Sequence, residues 1–431
     1  MTFEHLGAPS EPAIEPATDP AAAGSASVAS LVRRPSSRHR WWAVPLAGLG
    51  MITAAVPLAV SFVPSTAFVE KSRCEQYDTS VDPPTCTSRV AEAVEYALVP
   101  ADAEPVAPRL SIEGAPTYDS QGQIYFVTIT EPKISLLDWF ITRNNDAARL
   151  LSRYDKFGDQ TPQQLTQSGQ QQMRSAKDNA MYVALKAAGY PVELQQGDVI
   201  IDFLLCLEAN AAGTECVQFS PADEVLDPGD QLTSVDGTPV TTVDDLGPIL
   251  AKVKAGDMID VEFVRNGEEM TGEIETILAP GEDPPRTIIG FRPIDTTTVK
   301  LPEGIEVEIN TDLIGGPSAG LAFTLTLIDQ LTEGDLMGGH RVAVTGTINL
   351  DGDVGAIGGL NAKASAVQQV GVRYFLVPAG QGMDGSDGVL QARKVVGDDV
   401  EIIMVATVQE ALDALERIGG DPVQLVDLPT V

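Results

Sequence analysis

An uncharged apolar run near the N-terminus is the feature that most constrains how this chain can be arranged. Residues 41–63 read WWAVPLAGLGMITAAVPLAVSFV and contain no charged side chain. A helix rises about 1.5 Å per residue, so a run of this length matches a hydrocarbon core of about 30 Å. Trp41 and Trp42 stand at its start, where aromatic residues anchor a helix at the membrane interface. The run therefore predicts a single transmembrane helix.

The basic residues around the run predict its orientation. Four arginines precede it closely, whereas two basic residues follow it closely: Arg33, Arg34, Arg38 and Arg40 before it, and Lys71 and Arg73 after it. Positive charge is retained on the cytoplasmic side. We therefore expect residues 1–40 to form a cytoplasmic tail, disordered because it lacks a hydrophobic period, and the chain beyond residue 64 to be exported. A cleaved signal peptide is the alternative, although its apolar core is usually about 7–15 residues long.

The net charge of the chain lies beyond the apolar run. The formal net charge is −33, while residues 1–63 carry four arginines against four acidic residues and sum to zero. An acidic body of this kind repels phosphate backbones and anionic lipid surfaces. We therefore expect no nucleic-acid partner, and the acidity itself indicates nothing about the substrate.

The cysteines fit an exported body. Cys74 and Cys86 flank one short loop, and Cys206 and Cys216 flank another. Two close pairs beyond the apolar run predict two local disulfides in an oxidising compartment. Four buried thiols are the alternative, and neither pair has the spacing of a zinc site.

The exported part divides by pattern into three regions. Residues 65–191 are interpreted as a stalk and N-terminal region, in which residues 123–130 have strand composition and residues 171–190 have apolar side chains at helical spacing. Residues 192–280 form a second unit. Residues 298–420 form a third, in which strand and helix patterns alternate as in mixed α/β layers. The whole chain is predicted to be an α+β multidomain protein.

The second unit has a recognisable turn pattern. Asp227-Pro-Gly-Asp230 predicts a turn into a strand, and Asp236-Gly237 predicts a hairpin. A helix is predicted at 243–253, followed by a strand at 258–265 that ends in a turn at Asn266-Gly267. The spacing SPA…L.PGD…VDG..V resembles a PDZ domain of the bacterial-protease type. Peptide binding by this unit is implied only by the resemblance.

The third unit contains a candidate nucleophile. Gly315-Gly316-Pro317-Ser318-Ala319-Gly320 lies between a predicted strand (305–309) and a predicted helix (318–331). Glycines permit a tight turn, and a serine at a helix start has backbone N–H groups beside it that could stabilise an oxyanion. Taken alone, the serine could equally be a helix cap.

The scarcity of histidine restricts the choice of base. The chain contains His5, His39 and His340 and no other histidine. The first two precede the apolar run, and one exported histidine cannot build an HExxH metal site, so no metal or cofactor is expected. If Ser318 is a nucleophile, a lysine is the natural base.

Lys363 is the best candidate lysine. It follows the glycine-rich turn of Gly355-Ala-Ile-Gly-Gly-Leu-Asn-Ala-Lys363 and falls near the start of a predicted helix, 359–370, with many small apolar residues. Burial and the positive helix end both disfavour the charged amine. A neutral lysine can take a serine proton, although an ordinary helix-surface lysine is the alternative.

Together these segments resemble one family. GGPSAG, then Val344-Thr345-Gly346-Thr347-Ile348, then the lysine motif, in this order and spacing, resemble the proteolytic domain of the Lon family over about 115 residues. The resemblance implies that Ser318 is the nucleophile, Lys363 the general base and Thr345 a neighbour hydrogen-bonded to the lysine. The exported region as a whole resembles the bacterial membrane-anchored Lon-like proteases that carry a PDZ domain.

Two departures from ATP-dependent Lon affect what is expected. Gly315 stands where that family usually has an acidic residue, and the chain contains no GxxxxGK[ST] phosphate loop. We therefore expect an ATP-independent serine endopeptidase, anchored in the cell membrane, that cleaves unfolded or flexible exported or membrane proteins. The alternatives are a non-catalytic PDZ adaptor with a Lon-like scaffold and a hydrolase of small amides. A homo-oligomer, hexameric in the family, is implied by resemblance only.

Overall fold

The computed structural model describes residues 60–78, 85–158, 160–209, 216–279, 286–383, 387–423 and 426. The predicted tail, 1–40, and all but the last four residues of the predicted span, 41–63, lie outside the described residues. Among the residues that are described, no helix has both the length and the apolar character needed to cross a membrane.

The N-terminal part of the described chain consists of strands and one long helix. Its elements are β1 (Glu70–Asp78), β2 (Thr85–Pro105), β3 (Leu110–Glu113), β4 (Gln123–Thr130), α1 (Leu136–Thr142), β5 (Arg149–Ser152), α2 (Arg153–Phe157), α3 (Pro162–Ala187) and β6 (Glu193–Gln195). The predicted strand at 123–130 is confirmed. Helix α3 begins at Pro162, earlier than the predicted residue 171, because Thr161 and Gln164 form a capping box ahead of its polar first turns.

The middle part forms a second sheet. Its elements are β7 (Val199–Leu204), β8 (Cys206–Ala209), β9 (Cys216–Phe219), β10 (Gln231–Val235), β11 (Thr238–Pro239), α4 (Leu246–Leu250), β12 (Met258–Arg265), β13 (Glu268–Glu275), β14 (Ile277–Leu278), β15 (Thr287–Ile288), β16 (Phe291–Asp295) and β17 (Thr298–Lys300). The strand order is β13-β12-β10-β7-β16, with β11 paired to β10. The predicted turns at Asp236-Gly237 and Asn266-Gly267 are confirmed, since all four residues have positive φ. The predicted helix at 243–253 is shorter, a 3₁₀ turn at Val243–Asp245 followed by α4.

The C-terminal part alternates strands and helices as predicted. Its elements are β18 (Glu306–Ile309), α5 (Gly320–Leu331), β19 (Arg341–Val344), β20 (Thr347–Ile348), β21 (Val354–Gly355), α6 (Leu360–Gln369), β22 (Tyr374–Pro378), α7 (Val389–Val396), β23 (Glu401–Val405) and α8 (Val408–Arg417). The segment predicted as one strand at 341–348 is two, β19 and β20, because the chain turns at Thr345 and Gly346.

The main sheet combines strands from both ends of the described chain. Its order is β1-β2-β4-β19-β22-β23, with β5 paired to β2. Strand β4 pairs in parallel with β19, so that Gln123 lies opposite Arg341 and Phe126 opposite Val344. Segments 65–191, expected to form a stalk and N-terminal region, and 298–420, expected to form the catalytic unit, thus share one sheet and one core.

The second sheet is an insertion into this body. The chain leaves through β6 and returns through β17, and the two strands pair antiparallel, with Gln195 opposite Thr298 and Glu193 opposite Lys300. This pairing joins segments about a hundred residues apart, which no local pattern in the sequence can indicate.

Helix α5 occupies the centre of the main core. Eleven of its residues are buried, as expected for a helix that is mostly apolar around its whole circumference. It packs against α3 and β4, and the ring of Phe323 lies 6.3 Å from that of Phe126 between ring centres. The start of α5 is therefore held rigidly against the main sheet.

Two disulfides confirm the predicted cysteine pairs. Cys74–Cys86 joins β1 to β2, and Cys206–Cys216 joins β8 to β9. Each bond closes a short loop at an edge of the fold, away from the central strands of either sheet.

Candidate active site

The nucleophile loop places Ser318 two residues before the first residue of α5. Gly316 has φ 89°, a conformation that favours glycine, and its N–H donates to the carbonyl of Gly169 in α3 at 2.8 Å. On the other side, the N–H of Gly346 donates to the carbonyl of Ser318 at 2.9 Å. The serine backbone is thus fixed between α3 and the end of β19, next to the positive end of α5.

Lys363 lies in the first turn of α6. The helix begins after Gly359, which has φ 73° and accepts the Lys363 N–H at 2.9 Å. The side chain is 2% exposed, although it belongs to one of the residue types least often buried. Buried Ala362, Ala364 and Val367 lie beside it in the helix, and small residues of this kind leave room for a long side chain to enter the core.

The structure brings the three predicted site residues together. The Lys363 amine nitrogen lies 2.7 Å from the Ser318 hydroxyl oxygen and 3.1 Å from the Thr345 hydroxyl oxygen. Thr345 in turn donates from its hydroxyl to the Ser318 carbonyl at 3.1 Å. A hydroxyl that is hydrogen-bonded to a buried amine has the geometry required of an activated nucleophile.

Burial sets the protonation state of the lysine. Desolvation lowers the pKa of Lys363 to about 7, and the carboxylate of Asp387 opposes part of that effect. A free lysine titrates near 10.4 and is almost wholly charged at neutral pH. In this site a large fraction of the amine is neutral at pH 7–8, so it can accept the serine proton.

The dyad opens into a cleft large enough for a polypeptide segment. The cleft has a volume of about 1040 Å³ and is bounded by residues 126–129 of β4, by residues 312–319 and by the turn 356–358. Arg109 on its rim pairs with Glu104 at 2.6 Å and with Asp312 at 3.0 Å. Two of the acidic side chains that line the cleft are therefore paired with Arg109.

His340, the one histidine beyond the apolar run, lies too far from Ser318 to act as its base. His340 precedes β19 and packs on Tyr374 at 5.3 Å between ring centres, whereas Thr345 follows the same strand. Four strand residues span about 13 Å, so His340 cannot reach Ser318. In the part of the chain that the structure describes, no group of three or more His, Cys, Asp or Glu side chains could hold a metal ion.

The sequence pattern did not point to two contacts of this site. Gly169 supports the nucleophile loop from a helix about 150 residues away, and Asp387 lies beside the lysine helix. Both belong to segments without a motif, so only the folded arrangement identifies them.

Comparison with known proteins identifies two domain families in the chain. Residues 297–417 match the Lon protease (S16) C-terminal proteolytic domain, and residues 209–276 match the PDZ domain. The Lon protease of Xanthomonas oryzae is 39% identical over 103 residues, which cover 24% of this chain and 11% of that protein. Lon protease 2 of Bacillus subtilis is 29% identical over 153 residues, covering 35% of this chain and 24% of that protein.

Among solved structures, PDZ domains are similar to part of this chain. The PDZ domain of an SdrC-like protein from Listeria monocytogenes shares 16% identity, covers 24% of this chain and 93% of that chain, and has a TM-score of 0.19, too low to support an argument. The chain thus spans a small fraction of the length of the Lon proteases it matches. It carries a Lon-type proteolytic domain, which is a serine-peptidase domain, and a PDZ domain.

Proposed function

We propose that this protein is an ATP-independent serine endopeptidase in which Ser318 is the nucleophile and Lys363 the general base. The observation that carries the proposal is the 2.7 Å contact between the Ser318 hydroxyl and a buried amine whose pKa is lowered to about 7 by desolvation. The contact lies at the end of an open cleft, where a peptide carbonyl can approach the hydroxyl.

The geometry supports a two-step acyl transfer. Lys363 takes the hydroxyl proton as Ser318 Oγ attacks the peptide carbonyl carbon, and the positive end of α5 stabilises the oxyanion. The protonated amine then gives its proton to the leaving amine, which breaks the C–N bond and leaves an acyl ester on Ser318. A water molecule attacks the ester carbonyl carbon while Lys363 accepts its proton; the C–Oγ bond then breaks, Lys363 returns the proton to Ser318 Oγ, and the carboxylic acid departs. Thr345 holds the amine between these steps.

The absence of a phosphate-loop motif supports independence from ATP. Without GxxxxGK[ST], the given sequence offers no cradle for a nucleotide phosphate, so the substrates would be unfolded or flexible chains. Digestion of an unfolded protein such as casein should not change when ATP and Mg²⁺ are added. A several-fold stimulation would contradict this part of the proposal.

The groove of the PDZ unit is proposed to hold a substrate segment. A cavity of about 750 Å³ lies between α4 and β16, and β16 is an edge strand of its sheet. Two buried polar atoms at this cavity, Gln160 Oε1 and Arg292 Nε, have no hydrogen-bond partner among the described residues, although Arg292 Nε lies 4.0 Å from the Asp202 carboxylate. An extended peptide added beside β16 offers both carbonyl and N–H groups. Gln160 precedes α3 in the catalytic body, so a peptide in this groove would contact both parts of the protein.

The cellular location follows from the predicted span. The uncharged run 41–63, the arginines before it and the two disulfides all favour an N-terminal membrane anchor with the catalytic domain outside the cytoplasm. An external protease added to spheroplasts should digest residues 65–431 and spare residues 1–40. Protection of the catalytic domain would reverse this topology.

A non-catalytic PDZ adaptor is the alternative function, and a fluorophosphonate probe separates the two. The purified protein should be labelled on Ser318, and the Ser318→Ala variant should not be labelled. Labelling that is absent from wild type at every pH would favour the adaptor. A homo-oligomer is proposed from the Lon resemblance alone, and light scattering of the purified protein would test it.

A further inference from the structure

Two hydrogen bonds hold the turn from which the lysine helix begins, and a third joins the two residues that accept them. The N–H of Gly359 donates to the Asp387 carboxylate at 2.7 Å, and the N–H of Ile357 donates to the side-chain oxygen of Gln381 at 3.0 Å. The Gln381 side-chain amide donates to the Asp387 carbonyl at 2.9 Å. Gln381 and Asp387 thus form one clamp on residues 356–359.

The clamped turn serves both the cleft and the base. Its residues 356–358 line the cleft beside Ser318, and Gly359 is the residue before α6, the helix that carries Lys363. The Gly359 N–H is one of the helix-start donors that have no partner within the helix. A carboxylate at this position satisfies the donor and interacts favourably with the positive helix end.

The clamp also brings a negative charge near the buried amine of Lys363. The Asp387 carboxylate raises the pKa of Lys363, against the larger lowering by burial. Asp146 and Arg149, which have opposite charges, line a small cavity together with Asp387. The charged groups that line the cleft with Lys363 are Asp102, Glu104, Arg109 and Asp312, of which Arg109 pairs with Glu104 and Asp312.

We propose that Asp387 is a positioning residue for the base, which fixes the start of the lysine helix and keeps the buried amine a sufficiently strong base. This inference rests on the proposed peptidase function. Without the carboxylate, desolvation would act unopposed and the amine would be neutral at lower pH but a weaker proton acceptor. The clamp therefore keeps the basicity of the lysine amine suited to proton transfer near neutral pH.

The pH dependence of acylation tests this inference. Asp387→Asn retains an oxygen acceptor for the Gly359 N–H and removes the charge. Rates of labelling by a fluorophosphonate would be measured from pH 5 to pH 10 on the full chain. We expect the midpoint of the Asn variant to fall by at least about 0.3 pH unit, a twofold change in the acid dissociation constant of the amine, and Asp387→Glu to restore it.

Asp399→Asn is the matched control. Asp399 accepts a hydrogen bond from Gln368 at 2.8 Å, near the other end of the same helix, so its loss should leave the midpoint unchanged. If Asp387→Asn does not fold, Asp387→Gln, whose longer side chain also offers an uncharged oxygen acceptor to the Gly359 N–H, carries the same test.

The possible outcomes separate the two proposals. An unchanged or raised midpoint in the neutral variant, with normal labelling of wild type, would overturn the role of Asp387 and leave the dyad intact. A wild type that is not labelled at any pH would overturn the peptidase function itself. A lowered rate with an unmoved midpoint would show that Asp387 is structural only.

Discussion

The amine nitrogen of Lys363 lies 2.7 Å from the hydroxyl oxygen of Ser318, although the two residues belong to different helices. Strand β19 joins them, because the chain that leaves it at Thr345 and Gly346 is bonded to the Ser318 carbonyl. Thr345 also contacts the amine, at 3.1 Å. The contact between Lys363 and Ser318 is therefore held by the backbone as well as by the side chains.

Removing either member of the dyad should abolish peptide cleavage. Ser318→Ala removes the nucleophile and Lys363→Ala removes its base, and since the two act as one unit, the double variant should be no worse than either single one. Casein digestion and thermal melting would be measured together, so that loss of activity is distinguished from loss of fold. A single variant that keeps more than about a tenth of the activity would contradict the assignment.

Acylation should depend on a group that titrates near neutral pH. Because burial lowers the pKa of Lys363 to about 7, the rate of fluorophosphonate labelling should rise with pH and level off above a midpoint near that value. Lys363→Arg should be unlabelled from pH 6 to pH 10, because a guanidinium group does not give up its proton in this range. An active Arg variant, or a wild-type midpoint near 10, would exclude Lys363 as the base.

The labelling rate should depend on the hydroxyl group of Thr345 more than on the volume of its side chain. It contacts the Lys363 amine and donates to the Ser318 carbonyl, so Thr345→Val keeps the volume and removes both interactions, whereas Thr345→Ser keeps them. We expect the Val variant to lose about 10–100-fold in the labelling rate, less than either dyad variant, and the Ser variant to stay within a few-fold of wild type. Equal rates for the Ser and Val variants would show that Thr345 only fills space.

The dyad was predictable because its residues lie in dense local patterns. Glycines around Ser318 and before Lys363 mark turns, and the small residues after Lys363 indicate a buried helix, so each segment carries its own signal. The disulfides and hairpins were predictable for the same reason. The cysteines of each disulfide are at most 12 residues apart, and each hairpin is closed by two adjacent residues, Asp236-Gly237 or Asn266-Gly267.

The strand pairing around the dyad could not be predicted from the sequence. The pairing of β4 with β19 joins Gln123 to Arg341, and no local pattern encodes so distant a contact. The N-terminal region was consequently predicted to include a stalk, although Phe126 of this region lines the active-site cleft. Gly169 is inconspicuous for a related reason, since glycine within a helical pattern usually weakens the prediction of a helix.

The packing of Gly169 leads to a steric prediction. Its carbonyl accepts the Gly316 N–H, and a methyl group added at Gly169 would lie 3.6 Å from the Gly315 Cα, an ordinary contact. Gly169→Ala should therefore keep activity and stabilise α3 by about 0.5–1 kcal/mol, measured by chemical unfolding. Gly169→Leu should displace the nucleophile loop and reduce labelling at least tenfold.

The exposed Gln167 of the same helix provides the control for this series. Gln167→Leu adds a similar apolar side chain without facing the loop, so its activity should remain that of wild type. An unimpaired Gly169→Leu variant would show that the nucleophile loop does not depend on α3.

The buried acid of α5 predicts an unusual dependence of stability on pH. Asp329 is 4% exposed, and burial raises its pKa to about 6, although the Leu336 N–H and the Ser120 hydroxyl donate to the carboxylate. Because the folded pKa lies above the unfolded value, the contribution of Asp329 is fully present below about pH 4 and is lost as pH rises through about 6. At pH 8 the protein therefore retains a buried carboxylate at a cost of up to about 3 kcal/mol.

Asp329→Asn tests this dependence, because the amide oxygen can still accept both hydrogen bonds. The variant should have a higher unfolding free energy than wild type at pH 8, by about 1–3 kcal/mol, and the gain should disappear as pH falls toward 4. Denaturant unfolding at pH 4, 6 and 8 would measure it. Asp413→Asn, at an exposed position of α8, should show no such trend. A difference between Asp329→Asn and wild type that is the same at every pH would mean that the Asp329 carboxylate is not destabilised by burial.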